Sequence, residues 1–102
     1  MTAAFGYDVL TDTESPVVSM LTHLIGSLVD RPDRIYIYGV SRGDDMEFVA
    51  EVESVDLGKF SGRNARTAQS LRVIVRTIGT KDQRNFFLSI VERPPMPVEA
   101  NA

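Results

Sequence analysis

The sequence predicts one two-layer α+β domain in which three helices cover one face of a three-stranded sheet. Apolar residues recur at helical spacing in residues 16–28 and 66–78. Residues 35–40, 46–53 and 85–92 are rich in the β-branched and aromatic side chains that favour strands. A sheet of three strands needs cover on one face, and helices on that face can provide it.

The composition is that of a small globular domain. The chain has 102 residues, 43% of them hydrophobic, which is enough for a single modest core. It has no cysteine and one histidine, so neither a disulfide framework nor a zinc site is expected. No apolar stretch is long enough to span a membrane, and residues 1–12 lack the pattern of a secretory signal. We therefore expect a cytoplasmic protein without a membrane contact, a metal or a cofactor.

Positive charge is concentrated in one part of the chain. Residues 1–56 carry 3 basic and 11 acidic side chains (net −8), residues 57–84 carry 7 and 1 (net +6), and residues 85–102 carry 1 and 2 (net −1), which together give the overall −3. A globally acidic chain with one basic segment favours local binding of an anion. The alternative interpretation is a solvated helix face on which the charges are sorted by chance.

The first helix is expected to begin at Ser15-Pro16, because a hydroxyl at the N-cap is followed by proline at the first helical position. It is expected to end at residues 30–33, since Pro32 disfavours helical backbone in the residue before it. Its predicted buried stripe is Val17, Met20, Leu21, Leu24 and Leu28. Residues 1–14 show no sustained period and are interpreted as a flexible arm.

Two strands follow and are predicted to form an antiparallel hairpin, joined by a turn at residues 41–45. Met46, Phe48, Ala50 and Val52 share one face of the second strand, and Glu47, Val49, Glu51 and Glu53 share the other. Alternating carboxylates on a strand typically mark a solvated sheet face. Because no histidine or second acidic cluster lies nearby in the sequence, a metal or acid–base site is not predicted here.

A glycine-marked turn, Gly62-Arg63-Asn64-Ala65, lies between a short helical turn and a long helix. Ser54 or Asp56 is expected to cap the short helical turn, and Gly79 is expected to end the long helix. The basic side chains around the turn are Lys59, Arg63, Arg66, Arg72 and Arg76. Backbone N–H groups at a helix start lack partners and the helix dipole favours an anion, so this turn is the candidate phosphate-binding site.

The third strand, residues 85–92, carries apolar side chains on both faces. Phe86, Leu88 and Ile90 alternate with Phe87, Ser89 and Val91. The proline-rich run at residues 93–97 cannot continue a strand, so residues 93–102 are interpreted as a flexible tail. The domain is therefore expected to span residues 15–92.

Two runs of the sequence resemble the small single-domain KH proteins of bacteria, the KhpA (YlqC-like) family. Residues 28–32 read L-V-D-R-P and match an L-V-D-x-P run that precedes the first strand in that family. Residues 56–72 read D-L-G-K-F-S-G-R-N-A-R-T-A-Q-S-L-R and resemble its signature, D-[ML]-G-K-x-x-G-[KR]-x-G-R-x-A-x-[AS]-[IL]-R. A G-x-x-G turn alone is weak evidence, but the whole signature at this place in the element order is much stronger. The resemblance covers about residues 16–92.

The resemblance implies a type II KH domain with the order α-β-β-α-α-β, a three-stranded mixed sheet and three helices on one face. It also implies a non-enzymatic protein that binds single-stranded RNA, about four nucleotides at a time, as a post-transcriptional regulator or RNA chaperone. Family members form homodimers or pair with a larger KH-containing protein, and they are linked to cell shape. The residues expected to bind RNA are Lys59, Gly62, Arg63, Asn64, Ala65, Arg66 and Arg84. The groove floor is expected from Ser61, Thr67, Ala68 and Val49 or Val52.

The sequence departs from the family pattern at three positions near the turn. Ala65 replaces the second glycine, and Ser61 and Thr67 stand where aliphatic residues are usual, which makes the groove more polar. A second hypothesis is therefore a protein-interaction module on the same scaffold, with weak or lost RNA binding and a dimer contact at the third strand. An enzyme is not predicted, because the sequence has no nucleophile–base pair, metal cluster or P-loop.

Overall fold

The computed structural model of the protein describes residues 8–10 and 15–94. Its helices and strands, in chain order, are β1 (Asp8–Leu10), α1 (Pro16–Gly26), β2 (Tyr36–Arg42), β3 (Asp45–Val52), α2 (Ser54–Leu57), α3 (Ala65–Lys81) and β4 (Asn85–Glu92). The same part of the chain contains 3₁₀ turns at Pro32–Arg34, Gly58–Phe60 and Gly62–Asn64. None of its helices is both long enough and apolar enough to cross a membrane.

The three strands predicted from the sequence form a mixed sheet in the order β2-β3-β4. β2 and β3 pair antiparallel as a hairpin, with Tyr36 opposite Glu51. β3 and β4 run parallel, with Asp45 opposite Asn85. A parallel pair needs a long crossover connection, which α2, the glycine turn and α3 provide here. α3 therefore runs back from the carboxyl ends of the parallel strands to the start of β4.

A short additional strand, β1, extends the sheet beside β2. Asp8–Leu10 pair antiparallel with β2, and Val9 lies opposite Val40. This strand was not predicted, because three residues are too few for an alternating pattern to show in the sequence. The remainder of the expected arm (residues 1–7 and 11–14) and residues 95–102 of the expected tail lie outside the described residues.

The core lies between the helices and one face of the sheet. The strands contribute the predicted alternating residues, namely Met46, Phe48, Ala50, Val52, Phe86 and Leu88. The helices contribute Val18, Leu21, Ile25, Ala68, Leu71 and Val75. At its centre the rings of Phe48 and Phe86 meet edge to face, with 5.2 Å between centroids. The helices therefore cover one face of the sheet, as the alternation on β3 predicts.

The helix α1 begins as predicted but buries a different stripe. Ser15 Oγ accepts a hydrogen bond from the N–H of Val18 at 3.3 Å, which satisfies a donor of the first turn. Leu24 and Leu28 are 38% and 44% exposed, because the buried row is Val18, Leu21 and Ile25. Apolar side chains occupy both rows, so periodicity alone could not distinguish them. The helix also ends earlier than predicted, at Gly26.

The helix α3 continues through Gly79 to Lys81, so the predicted C-cap is wrong. Gln83, with φ of 60°, is the left-handed residue that closes the helix, and its N–H bonds to the Thr80 carbonyl at 3.0 Å. Glycine is needed at position 79 because Phe86 packs closely against the helix there, and a Cβ atom would lie 2.7 Å from Phe86 Cγ. Its absent side chain lets the end of α3 pack tightly on the start of β4.

The face of the sheet opposite the helices, here called the open face, is acidic and partly aromatic. On it Glu51 lies opposite Tyr36 and Glu47 lies opposite Phe87. Glu53 was predicted to continue this acidic row but forms an ion pair with Arg34 at 2.9 Å. In residues 8–10 and 15–94, no group of acidic or histidine side chains is arranged to hold a metal ion.

Candidate nucleic-acid interface

The glycine turn begins with the 3₁₀ turn Gly62–Asn64. Another 3₁₀ turn, Gly58–Phe60, precedes it, and Ser61 between the two is extended. Gly62 has φ of +58°, a left-handed conformation that side-chain-bearing residues rarely adopt. A Cβ atom at Gly62 would meet nothing within 4 Å. Glycine is therefore required by the backbone conformation, and the space in front of it is open to a ligand.

Hydrogen bonds within the turn hold its shape. Ser61 Oγ donates to the Leu57 carbonyl at 3.3 Å, and Asn64 Nδ2 donates to the Gly58 carbonyl at 2.9 Å. The Asn64 N–H also bonds to the Ser61 carbonyl at 2.9 Å. The side chain of Asn64, expected to contact RNA, therefore uses its amide donor to fasten the turn to the segment after α2.

Ala65 fits the turn without strain although it replaces a glycine of the family pattern. It is the first residue of α3, with φ of −61° and ψ of −21°, which are ordinary right-handed helical values. Alanine is the most favourable residue in a helix, so the substitution is compatible with this backbone. What the methyl group changes is the surface that a phosphate would approach.

The first turn of α3 is an electropositive site. Asn64 makes no side-chain capping bond, and the first turn has no acidic residue. Arg63 and Arg66 are both exposed. Within the described part of the chain, neither of these arginines forms an ion pair. A helix start without a side-chain cap, the helix dipole and two unneutralised guanidinium groups therefore coincide at one place, although the Ala65 N–H itself bonds to the Gly62 carbonyl.

Lys59 lies in a different environment from these arginines. Its Nζ atom is 3.1 Å from Asp30 Oδ2 and 3.2 Å from Asp56 Oδ1. The position of Lys59 next to the turn predicts that it is one of the phosphate-binding cations. The structure places its ammonium group between two carboxylates, facing the loop that follows α1.

Asp56 is the buried partner in this cluster. Its side chain is 0% exposed, and its Oδ1 and Oδ2 atoms accept the backbone N–H groups of Asp30 at 2.8 Å and Arg31 at 3.0 Å. Burial raises the pKa of Asp56, but these bonds and the Lys59 ammonium outweigh burial and leave the pKa below its ordinary value. The predicted capping role is wrong, because the N-cap of α2 is Glu53 and makes no side-chain capping bond.

Arg84 lies at the opposite end of α3 from the turn. Its guanidinium group donates to Ser41 Oγ and to the Gly43 carbonyl, both at 3.1 Å, and lies over the ring of Phe86. The 17 residues of α3 span about 25 Å. The structure therefore does not bring Arg84 together with Arg63 and Arg66.

A groove lies between α3 and β4. It has a volume of about 350 Å³ and is lined by Arg72, Arg76, Phe86, Phe87, Leu88 and Ser89. Arg72 Nε donates to the Leu88 carbonyl at 3.1 Å, which ties the helix to the strand. The basic residues of α3 were visible in the sequence, but their position on a groove depends on the parallel placement of β4.

Part of the predicted groove floor is not accessible, whereas Ser61 is exposed and Thr67 is half-buried. Val52 and Ala68 are 0% and 1% exposed and belong to the core. Val49 pairs with Tyr38 and Ser89 in the row that faces away from the helices. For Val49 and Val52, alternation along β3 predicts which residues share a face but not which face a ligand meets.

These features define the class of the protein. An α-β-β-α-α-β order, a mixed sheet and a glycine turn that opens the last long helix are the arrangement of a type II KH domain.

Comparison with known proteins identifies the family. No protein-family model and no solved structure matches the chain. The RNA-binding protein KhpA of Halalkalibacterium halodurans is 31% identical over 74 residues, covering 72% of this chain and 97% of that protein. The KhpA protein of Streptomyces coelicolor is 41% identical over 66 residues, which cover 63% of this chain and 81% of the relative. The KhpA protein of Mycobacterium bovis is 40% identical over 70 residues, which cover 67% of this chain and 85% of that protein. The chain belongs to the KhpA family.

The first prediction concerns the stability that Asp56 provides. Because the folded state lowers the pKa of Asp56, its contribution is present above the unfolded value of about 3.8 and is lost as the pH falls through the folded value. Asp56→Asn is expected to lower the free energy of unfolding by about 2 kcal/mol at pH 7, measured by urea denaturation. The difference from the wild type should shrink as the pH falls below about 3.8.

Asp33→Asn is the matched control, because the Asp33 side chain is 71% exposed and lies 3.6 Å from Arg31. Its effect on the free energy of unfolding is expected to stay below about 0.5 kcal/mol. A difference between wild type and Asp56→Asn that stays constant from pH 7 to pH 3 would contradict the assignment.

Proposed function

We propose that the protein is a non-enzymatic RNA-binding KH protein that holds the phosphate backbone of single-stranded RNA at the turn Gly62-Arg63-Asn64-Ala65. Its relatives carry the name RNA-binding protein KhpA. The observation that carries the proposal is the first turn of α3, where exposed Arg63 and Arg66 form no ion pair with the described residues and lie at a helix start without a side-chain cap. Phosphate is the natural ligand of such a helix start.

The distribution of charge supports the choice of surface. α3 carries Arg66, Arg72, Arg76 and Lys81 and no acidic residue. The acidic side chains of β3 lie on the open face, away from the helices. An overall charge of −3 is therefore compatible with a locally attractive surface for RNA.

The groove between α3 and β4 supports the choice of single-stranded RNA. It begins beyond the turn and offers Arg72, Arg76 and the half-exposed ring of Phe87. Unstacked bases can stack on guanidinium and aromatic groups, whereas a duplex keeps its bases stacked inside. Bound RNA would thus place its backbone at the turn and its bases along the groove. A post-transcriptional regulator or RNA chaperone in the cytoplasm is the cellular role that fits such binding.

The second prediction is RNA binding that depends on the turn. A fluorescent single-stranded oligonucleotide should bind with an affinity that falls as salt rises, with a slope of about −0.7 per phosphate neutralised. The double variant Arg63→Asp with Asn64→Asp changes the charge of the turn by −3 and is expected to lower the affinity about tenfold or more. Fluorescence anisotropy across a salt series measures both quantities.

The control variant carries the same charge change elsewhere. Lys81→Asp with Gln83→Asp also changes the charge by −3, but at the far end of α3. Its affinity is expected to stay much closer to that of the wild type. Absence of wild-type binding, or equal loss in the two double variants, would contradict the proposed site.

A second candidate function is protein association through β4, as a homodimer or with a larger KH-containing protein. Phe87 and Val91 of this strand are 54% and 39% exposed, and β4 ends the described sheet. β4 has eight residues and no charged side chain before Glu92, and a long uncharged edge strand favours pairing with another strand. This association would leave the turn accessible but would cover Phe87, which also lines the groove, so partner and RNA bases would compete for that part of the surface.

The third prediction tests that association by light scattering. A dimer of twice the 11.3 kDa chain mass is expected at high protein concentration. Phe87→Glu should shift the equilibrium toward monomer, because it removes an exposed apolar side chain and places a charge on the β4 edge, where charged residues oppose strand pairing. A wild-type monomer at all concentrations would contradict the dimer and leave RNA binding unaffected.

A further inference from the structure

The position of Lys59 beside the glycine turn makes it look like a third phosphate contact, but its ammonium group is already engaged. Nζ bonds to Asp30 Oδ2 at 3.1 Å and to Asp56 Oδ1 at 3.2 Å. Resting on the proposed function, we propose that Lys59 is a positioning residue, which holds the glycine turn in its binding shape through Asp56 and does not contact RNA phosphate.

The cluster of Asp30, Asp56 and Lys59, here called the Asp56 cluster, joins two distant parts of the chain. Asp56 accepts the N–H groups of Asp30 and Arg31, which lie 26 and 25 residues away in the sequence. These residues lie in the connection from α1 to β2, residues 27–35. The last turn of α2 is thereby fastened to the segment after α1, through a carboxylate that is fully buried.

The same segment is fastened to the glycine turn on its other side. The carbonyl of Leu57 accepts Ser61 Oγ, and the carbonyl of Gly58 accepts Asn64 Nδ2. Leu57 and Gly58 lie between Asp56 and Lys59 in the sequence. Hydrogen bonds on both sides of the backbone segment 56–58 therefore connect the α1–β2 connection, through the Asp56 cluster, to the turn that presents Arg63.

Electrostatics keeps the ammonium group in the cluster. Hydrogen bonds to Asp30 and Asp56 raise the pKa of Lys59, which shows that the charged form is stabilised where it lies. Moving Nζ to an RNA phosphate would leave the buried carboxylate of Asp56 without its cation, which is unfavourable. The formal charges of Asp30, Asp56 and Lys59 sum to −1, so the cluster as a whole does not attract phosphate.

The test separates a positioning residue from a phosphate contact by the salt dependence of binding. Each phosphate contact with single-stranded RNA contributes about 0.7 to the slope of log affinity against log salt. Lys59→Met combined with Asp30→Asn keeps the charge of the cluster at −1, so a change of slope reports a lost contact and not a changed field. Arg63→Met is the variant that removes a contact of the turn.

The expected result has two parts, both measured with a single-stranded oligouridylate by fluorescence anisotropy at a temperature where circular dichroism shows each variant folded. Arg63→Met lowers the slope by about 0.7. The Lys59→Met/Asp30→Asn variant keeps the wild-type slope and binds several-fold more weakly at every salt concentration. An unchanged affinity would show that Lys59 serves stability alone, and a slope lowered as in Arg63→Met would show a phosphate contact. Either outcome overturns the proposal.

If the double variant does not fold, a measurement on the wild-type chain tests the proposal instead. The chain has two lysines, Lys59 and Lys81, so their side-chain ¹⁵N resonances can be assigned and followed during RNA addition. The Lys59 resonance is expected to keep its position when RNA saturates the turn, and a shift larger than that of Lys81 would overturn the proposal. If the wild type does not bind RNA at all, the proposed function is wrong. That result differs from the two outcomes that overturn the proposal on Lys59, because both of these require a wild type that binds RNA.

Discussion

The buried carboxylate of Asp56 is the interaction on which the geometry of the site depends. A charged group without solvent exposure is tolerated only where hydrogen bonds and an opposite charge replace water, and here two backbone N–H groups and the Lys59 ammonium do so. This arrangement fixes α2 against the segment after α1 before the chain enters the glycine turn. The positive φ of Gly62 and the helical start at Ala65 then direct the first turn of α3 outward.

Segregation of charge explains how an acidic chain can present a surface for RNA. The carboxylates of residues 1–56 are not spread evenly: Glu47 and Glu51 lie on the open face, and Glu53 is paired with Arg34. Asp30 and Asp56 are occupied by Lys59. Among the described residues, these carboxylates therefore lie away from α3 or are paired, whereas Arg63 and Arg66 are exposed and form no ion pair there.

Much of the fold was predictable from the sequence, because alternation on β3 and the Ser15-Pro16 start are local signals with a direct physical cause. The errors arise where a tertiary contact decides. Gly79 follows a helical pattern and looks like a C-cap, yet its role depends on the approach of Phe86. The buried row of α1 depends on which side meets the sheet. Lys59 and Arg63 carry the same charge in the sequence. Only the fold, which places Asp30 beside Asp56, shows that Lys59 is paired with carboxylates. Arg84 was misplaced for a similar reason, since its distance from the turn follows from the length of α3.

RNA is proposed to meet this domain at the start of α3 and along the edge between α3 and β4, while the part of the open face around Tyr36, Tyr38 and Glu51 takes no part. Titration of the ¹⁵N-labelled chain with a single-stranded oligonucleotide, followed by amide chemical shifts, tests this proposal most directly. The shifts are expected to concentrate at residues 62–66 and along the groove at Arg72 and Leu88, while Tyr36 and Tyr38 keep their positions. Shifts centred on Tyr36, Tyr38 and Glu51, with the turn unaffected, would contradict it.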